Sequence, residues 1–194
     1  MKLIFVRHGE TEENIQGVIQ GHLPGRLSEK GKQQIADASK QLENEHIDYI
    51  YSSDLARAAD TTKGIAKHHP NAPIEFVKEL RERNYGEFTG KKKSEIDYQK
   101  WWDEIHTPHV RHKDAEALEE VYNRVSIFMD KILHKHKNQT VLLVGHGFMG
   151  KVLRCVLSNQ PAEKVRDMGR VENAGVSIYD VSEYEKHELH VRTI

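Results

Sequence analysis

Two stretches of this chain share one local grammar: Leu3-Ile4-Phe5-Val6-Arg7-His8-Gly9, and Thr140-Val141-Leu142-Leu143-Val144-Gly145-His146-Gly147. Each opens with an apolar run too short for a helix and lacking polar alternation, which reads as a strand covered on both faces. Each then sets a histidine at the strand's carboxyl end beside a glycine, where the backbone can turn sharply and a ligand can come close. Tyr49–Tyr51, Ile74–Val77, Val176–Val181 and Leu189–Val191 read as further strands. Helices fall between them. Ser28 fits an N-cap for a helix running to about Glu45, with Ile35, Ala38 and Leu42 on one face. A second helix runs from Leu55 to His69, halted by Pro70-Asn71-Ala72-Pro73. Leu118, Val121, Tyr122, Val125, Phe128, Met129, Ile132 and Leu133 keep helical spacing, and an apolar helix covers about Phe148–Leu157.

This alternation predicts an α/β fold of three layers, a mostly parallel sheet with helices on both faces, which binds ligands at the carboxyl ends of its strands. Residues 83–113 differ in character: they are charged and carry Trp101, Trp102 and Pro108. They predict a helical flap inserted over the site. With no repeat, low-complexity segment or flexible linker, one domain over residues 1–194 is the expected division.

Charge narrows the partners. With 29 basic and 30 acidic side chains the net charge is −1, so no overall field draws the chain to nucleic acid or a membrane surface. No stretch approaches the ~18–20 apolar residues of a membrane span. Met1–Val6 has no signal core, so the default expectation is the cytoplasm. Cys155 is the one cysteine, which excludes a disulfide within the chain, and it reads as a small buried hydrophobe.

If the two histidine-bearing strands are neighbours, His8 and His146 face one crevice. Ser52-Ser53-Asp54-Leu55-Ala56-Arg57 follows another strand and opens a helix, bringing Arg57 to the same edge. Arg7 and Arg57 then offer planar donor forks to an oxyanion with several equivalent oxygens, and Asn14 a neutral amide. Positive charge beside His8 favours its neutral form, as a nucleophile requires, with the other ring nitrogen held by a backbone carbonyl.

Arg7-His8-Gly9-Glu10-Thr11 with Asn14 resembles the signature of the histidine phosphatase superfamily, the phosphoglycerate mutase-like enzymes. The likeness continues in order through Gln20-Gly21-His22, Ser52–Thr61, Leu80–Gly90, Val121–Val125, Val144–Gly147 and Asn173–Ser177. The resemblance implies that His8 attacks phosphorus to form a phosphohistidine, without a metal or other cofactor. It implies that Arg7, Arg57 and His146 bind the equatorial oxygens, and that Glu82 protonates the leaving alkoxide and then deprotonates water. It adds Asn14, Gln20, Gly21 and Asn173 to the phosphate pocket. From the residues alone, Glu82 among Arg81, Arg83 and Glu87 reads as a surface ion-pair partner, with Glu87 the fallback acid, and Asn14 as a helix-terminating residue. Pro24-Gly25-Arg26, Ala115-Glu116-Ala117 and Glu13 depart from common family residues on the substrate side.

The compact length, and Gln20-Gly21-His22 where mutases usually carry Thr-Gly-Trp, look like the phosphatase branch. The alternatives are a cofactor-dependent phosphoglycerate mutase and a non-catalytic phosphate-binding module. The partner implied is a small phosphorylated metabolite: phosphoserine, sugar phosphates, phosphoglycerates and cobalamin-precursor phosphates all fit the core motifs. No exposed strand or heptad announces a self-association surface. His106, His109 and His112 recur every three residues but cross Pro108 without a carboxylate partner. They read as solvated flap surface rather than a metal site. Lys91-Lys92-Lys93 reads as a solvated helix face that draws anions weakly.

Overall fold

The computed structural model describes residues 1–185 and 188–193. Its six strands form one sheet: β1 (Lys2–Arg7), β2 (Tyr49–Ser53), β3 (Ile74–Val77), β4 (Thr140–Gly145), β5 (Val176–Glu185) and β6 (Glu188–Thr193). The strand order is β3-β2-β4-β1-β5-β6. Strands β1 to β4 pair in parallel, while β5 runs antiparallel to β1 and β6 antiparallel to β5. Six helices accompany the strands: α1 (Glu12–Ile15), α2 (Glu29–Gln41), α3 (Ala56–Ala66), α4 (Tyr98–Ile105), α5 (Leu118–Lys135) and α6 (Gly147–Leu157).

The unbroken apolar runs of β1 and β4 follow from cover on both faces. Leu3, Phe5, Val141 and Leu143 point into a core shared with α5 and α6. Ile4, Val6, Leu142 and Val144 point the other way, to Leu42, Ala58 and Ile65 beside α2 and α3. This is the expected three-layer α/β arrangement.

Two helices are shorter than their sequence suggests. Ser28 caps α2 through the Gly31 N–H, but the helix ends at Gln41, because Leu42 is the last residue of that stretch to reach the core. The next helix stops at Ala66 rather than His69, the chain turning through Lys67–His69 toward β3.

Between β3 and α5 the chain leaves the sheet to build the flap. Asp97 caps α4 through the Lys100 N–H, and Trp101 and Ile105 form its buried face. Arg83, fully buried, anchors the segment: its Nε donates to Glu116 O at 3.0 Å, one terminal nitrogen donates to Ile105 O, and its guanidinium lies 5.2 Å over Phe148. The histidine triplet is not a uniform solvated surface. His106 is buried, donating from Nδ1 to Trp102 O at 2.8 Å and packing 5.3 Å from Phe148. His112 stands 4.7 Å from Phe88, and only His109 is freely exposed, paired with Glu119. The turn at His109 has a positive φ of 62° and turns the triplet out of helical register. Lys91–Lys93 is likewise no helix face, since the backbone makes only a 3-10 turn over Lys93–Glu95.

Candidate active site

Strands β1 and β4 are neighbours, with Arg7 opposite Gly145, so the two histidines leave the sheet side by side. Their ring centroids are 5.1 Å apart. His8 is 3% exposed, and its Nδ1 lies 2.8 Å from Gly9 O. A carbonyl oxygen only accepts, so Nδ1 carries the proton and Nε2 keeps its lone pair. That lone pair accepts from Arg57 Nε at 3.2 Å. Burial, and then Arg57 and Arg7, hold the His8 imidazole well below its ordinary pKa, leaving it uncharged at neutral pH. His146, at the N-cap of α6, has Nε2 2.8 Å from Ser53 Oγ, while its Nδ1 is buried without a partner. Burial, then Arg57 and His8, depress its pKa as well.

The first turn of α3 delivers Arg57, whose terminal nitrogens donate to Leu23 O at 2.5 Å and Gly21 O at 2.9 Å. Arg7 donates from Nη1 to Val171 O at 2.9 Å, and its buried Nε has no partner. Burial lowers each guanidinium to about 10, so both stay charged at neutral pH. Gly147 makes room for Arg7: a Cβ there would lie 3.3 Å from the guanidinium carbon and Nε. Asn14 lines the cleft, its Oδ1 accepting from Thr11 N and from Asn173 Nδ2 at 3.3 Å. It closes the capping box of α1 and does not terminate that helix. Asn173 sits behind the cleft and is not part of its wall, its amide donating to His8 O at 3.1 Å. Gln20 and Gly21 line the wall, Gln20 with a buried unpartnered Oε1 and Gly21 at φ 49°.

Glu82 is 9% exposed and forms no ion pair with its arginine neighbours. Arg81 turns away to Asp54, at 2.5 and 2.6 Å, and Arg83 anchors the flap. The Glu82 carboxylate instead meets the start of α6: Oε2 accepts from Phe148 N at 3.1 Å, and Oε1 from Met149 N at 3.1 Å and Arg83 N at 2.9 Å. These donors are the unpaired first-turn amides of a helix, which suit a carboxylate. The Glu82 carbonyl accepts from His22 Nε2 at 2.8 Å and Arg124 Nη2 at 3.2 Å. Arg124 also meets Glu116, whose other oxygen holds Asn84 N. Glu87, the fallback acid, is exposed and off the cleft wall.

These residues open into a cleft of about 390 Å³. Arg7, His8, Arg57 and Glu82 line it together with Lys93, Trp101, Trp102, Lys151 and Arg170. The sequence reading missed Lys151 and Arg170. The signal for Lys151 was visible: α6 is otherwise apolar over Phe148–Val152.

A neutral histidine with a bare Nε2, set between two buried arginines at the carboxyl edge of a parallel sheet, marks an α/β enzyme that handles phosphoryl groups. The profile of the histidine phosphatase superfamily (branch 1) matches residues 3–193, and the chain belongs to that family. It is an enzyme of the histidine phosphatase type. Phosphoserine phosphatase 1 of Hydrogenobacter thermophilus is 36% identical over 94% of this chain and 88% of its own length. A 2,3-bisphosphoglycerate-dependent phosphoglycerate mutase of Bartonella henselae is 30% identical over 84% of each chain. The alpha-ribazole phosphatase of Shigella flexneri shares the fold, with a TM-score of 0.86 at 24% identity over 100% of this chain and 96% of its own.

Proposed function

We propose that this chain is a metal-independent phosphomonoester hydrolase that acts on small phosphorylated metabolites through a phosphohistidine at His8 Nε2. The observation that carries the reading is the His8 tautomer: Nδ1–H held by Gly9 O and an uncharged Nε2 turned toward Arg57.

The substrate phosphoryl group enters between Arg7 and Arg57, and its oxygens replace His8 as the acceptor for Arg57 Nε. The freed lone pair attacks phosphorus. Arg7, Arg57 and the unpartnered Nδ1 of His146 meet the charge spread over the equatorial oxygens in flight. As the ester bond breaks, Glu82 gives a proton taken up with the substrate to the leaving alkoxide, and the alcohol departs. Positive charge on the phosphorylated imidazole is stabilised by the Gly9 carbonyl at Nδ1–H. Water then enters, Glu82 takes its proton, and attack on phosphorus releases phosphate and restores His8. Asn14 adds an amide at the phosphoryl end, with Asn173 holding it from behind.

The test is phosphate release from a phosphomonoester panel in excess chelator, with wild type beside His8→Ala. Chelator-resistant release and an acid-labile phosphoenzyme, both absent from His8→Ala, are expected, with a loss on the order of 10⁴-fold or more. Release that survives in His8→Ala refutes the covalent route. The mutase relative makes 3-phosphoglycerate with catalytic 2,3-bisphosphoglycerate a necessary panel arm. Isomerisation outpacing release there favours a mutase.

A further inference from the structure

The tautomer of His8 depends on one carbonyl, and that carbonyl belongs to a peptide beside a glycine. Gly9 O accepts from His8 Nδ1–H at 2.8 Å, which leaves Nε2 bare. The same Gly9–Glu10 peptide carries an N–H on its opposite edge, at Glu10. Were the peptide to turn over, this N–H would face Nδ1, and the imidazole proton would belong on Nε2, the atom proposed to attack phosphorus. Gly9 has no side chain to resist such a turn. His8 is uncharged at neutral pH, so the place of its single proton decides whether Nε2 keeps a lone pair.

Helix α2 holds that peptide from outside the loop. Glu10 N donates to Gln34 Oε1 at 2.9 Å, its only acceptor among the described residues. An N–H group only donates, so the amide oxygen of Gln34, and not its NH₂, faces the loop. Gln34 is half-buried in the second turn of α2. The N-cap of the same helix grips the next peptide, Ser28 N donating to Glu10 O at 2.9 Å and Ser28 Oγ to Glu10 Oε1 at 3.0 Å. The loop lies close against the helix: a Cβ on Gly9 would stand 2.7 Å from Gly31 O and 3.0 Å from the Ile35 side chain.

The other side of Gly9 is tied to α3. Gly9 N donates to Thr61 Oγ1 at 3.1 Å, and that hydroxyl gives its own proton to Arg57 O at 2.7 Å. Arg57 Nε returns to His8 Nε2 at 3.2 Å, closing a ring of contacts around the imidazole. Thr61 thus fixes the peptide before Gly9 and Gln34 the peptide after it, and only the second carries the carbonyl that meets Nδ1–H. We propose that Gln34 is a positioning residue for the nucleophile: by accepting from Glu10 N–H it fixes the Gly9–Glu10 peptide and, through Gly9 O, the Nδ1–H tautomer of His8. The proposal rests on reading His8 Nε2 as the attacking atom. Gln34 itself is not on the cleft wall and acts only through the loop.

The experiment reads the tautomer directly, from the nitrogen NMR shifts of the His8 imidazole in isotope-labelled protein at neutral pH, assigned against His8→Ala. Beside it, kcat/KM is measured on an alkyl phosphate and on a 4-nitrophenyl ester. Wild type is expected to show a protonated Nδ1 and a bare Nε2. Gln34→Leu keeps the helix and removes the acceptor, and its two ring shifts are expected to move toward each other. Its kcat/KM is expected to fall about tenfold, by the same factor on both esters, because the nucleophile and not the leaving group is affected. Gln34→Ala gives the same readout without adding apolar surface. Gln34→Glu keeps an accepting oxygen at the same reach and is expected to restore the wild-type shifts and most of the rate. Wild-type shifts in Gln34→Leu and Gln34→Ala overturn the proposal, and so do equal changes in Gln34→Leu and Gln34→Glu, which make Gln34 a packing residue. A tautomer that changes in Gln34→Leu while phosphate release does not leaves Gln34 standing and removes the reading of His8 Nε2 as the nucleophile. A wild type with its proton on Nε2 overturns both.

Discussion

Replacing Glu82 by glutamine separates its hold on the start of α6 from the proton transfer proposed for it. Its carboxylate accepts three backbone N–H groups, two of them from the first turn of α6. Glutamine keeps one accepting oxygen, and its NH₂ turns a donor toward at least one amide that has no other partner. A buried donor left unpaired costs about 1–3 kcal/mol, and losing the charge at the helix terminus costs about 0.3–1 kcal/mol more. Glu82→Gln is therefore expected to lower stability by roughly 2 kcal/mol in urea unfolding. The catalytic effect is read from kcat/KM, which reports only the steps up to His8 phosphorylation and so excludes the later use of Glu82 as a base. An alkyl phosphate needs a proton on its leaving oxygen and is expected to lose about 10²–10⁴ in kcat/KM. A 4-nitrophenyl ester leaves without that help and is expected to lose only a few-fold. Glu87→Gln, at an exposed position off the cleft, is expected to leave both near wild type. Equal losses of kcat/KM on the two esters refute proton donation and reduce Glu82 to a cap for α6. A differential loss in Glu87→Gln instead moves the role to that residue.

Acid should weaken the fold. His106 binds a proton near 6.5 when unfolded and near 4 when folded, so its contribution is complete above about pH 6.5 and is lost as pH falls toward 4. His8 and His146 shift in the same direction. The unfolding free energy should therefore fall once the pH drops below about 6.5, at up to roughly 1.4 kcal/mol per pH unit for each such group, and a stability that holds or rises between pH 6.5 and 5 contradicts the shifts. Gly147→Ala sets a methyl 3.3 Å from the Arg7 guanidinium, which Val171 O holds in place, and is expected to cost about tenfold in kcat/KM with little change in the unfolding midpoint. An unaltered kcat/KM argues that Arg7 does not touch the reacting phosphoryl group.

The parts of the site legible in the sequence are those whose geometry is set locally. Period and composition mark β1 and β4, and the glycine beside each histidine marks the strand end, so His8 and His146 follow as soon as the two strands are neighbours. Arg57 is legible for the same reason, through Ser52–Ala56 at a strand-to-helix turn. Glu82 is not. Its neighbours Arg81 and Arg83 suggest an ion pair, but Arg81 turns to Asp54, Arg83 turns into the flap, and the groups that hold Glu82 are backbone amides of α6. Backbone donors are identical at nearly every residue, so a side chain fixed by them leaves no chemical complement in the sequence to search for.

The histidines of the flap fail for a related reason. Their spacing of three suggests one common environment, yet the backbone breaks register at His109, and His106 is buried against Trp102 and Phe148 while His109 stays in solvent. Lys151 shows the converse. A lone cation in an apolar helix is visible, but it reads equally well as a lysine extending its ammonium to water. Only the position of the flap, which covers it with Trp102 and hands it a histidine acceptor, turns it into a buried donor with no ion-pair contact among the described residues. The histidine edge of the site is thus written in strand-end motifs, while the wall beside it is written in how residues 83–113 pack onto α6. Substitutions in that packing face should therefore change which ester is taken before they change whether His8 can be phosphorylated.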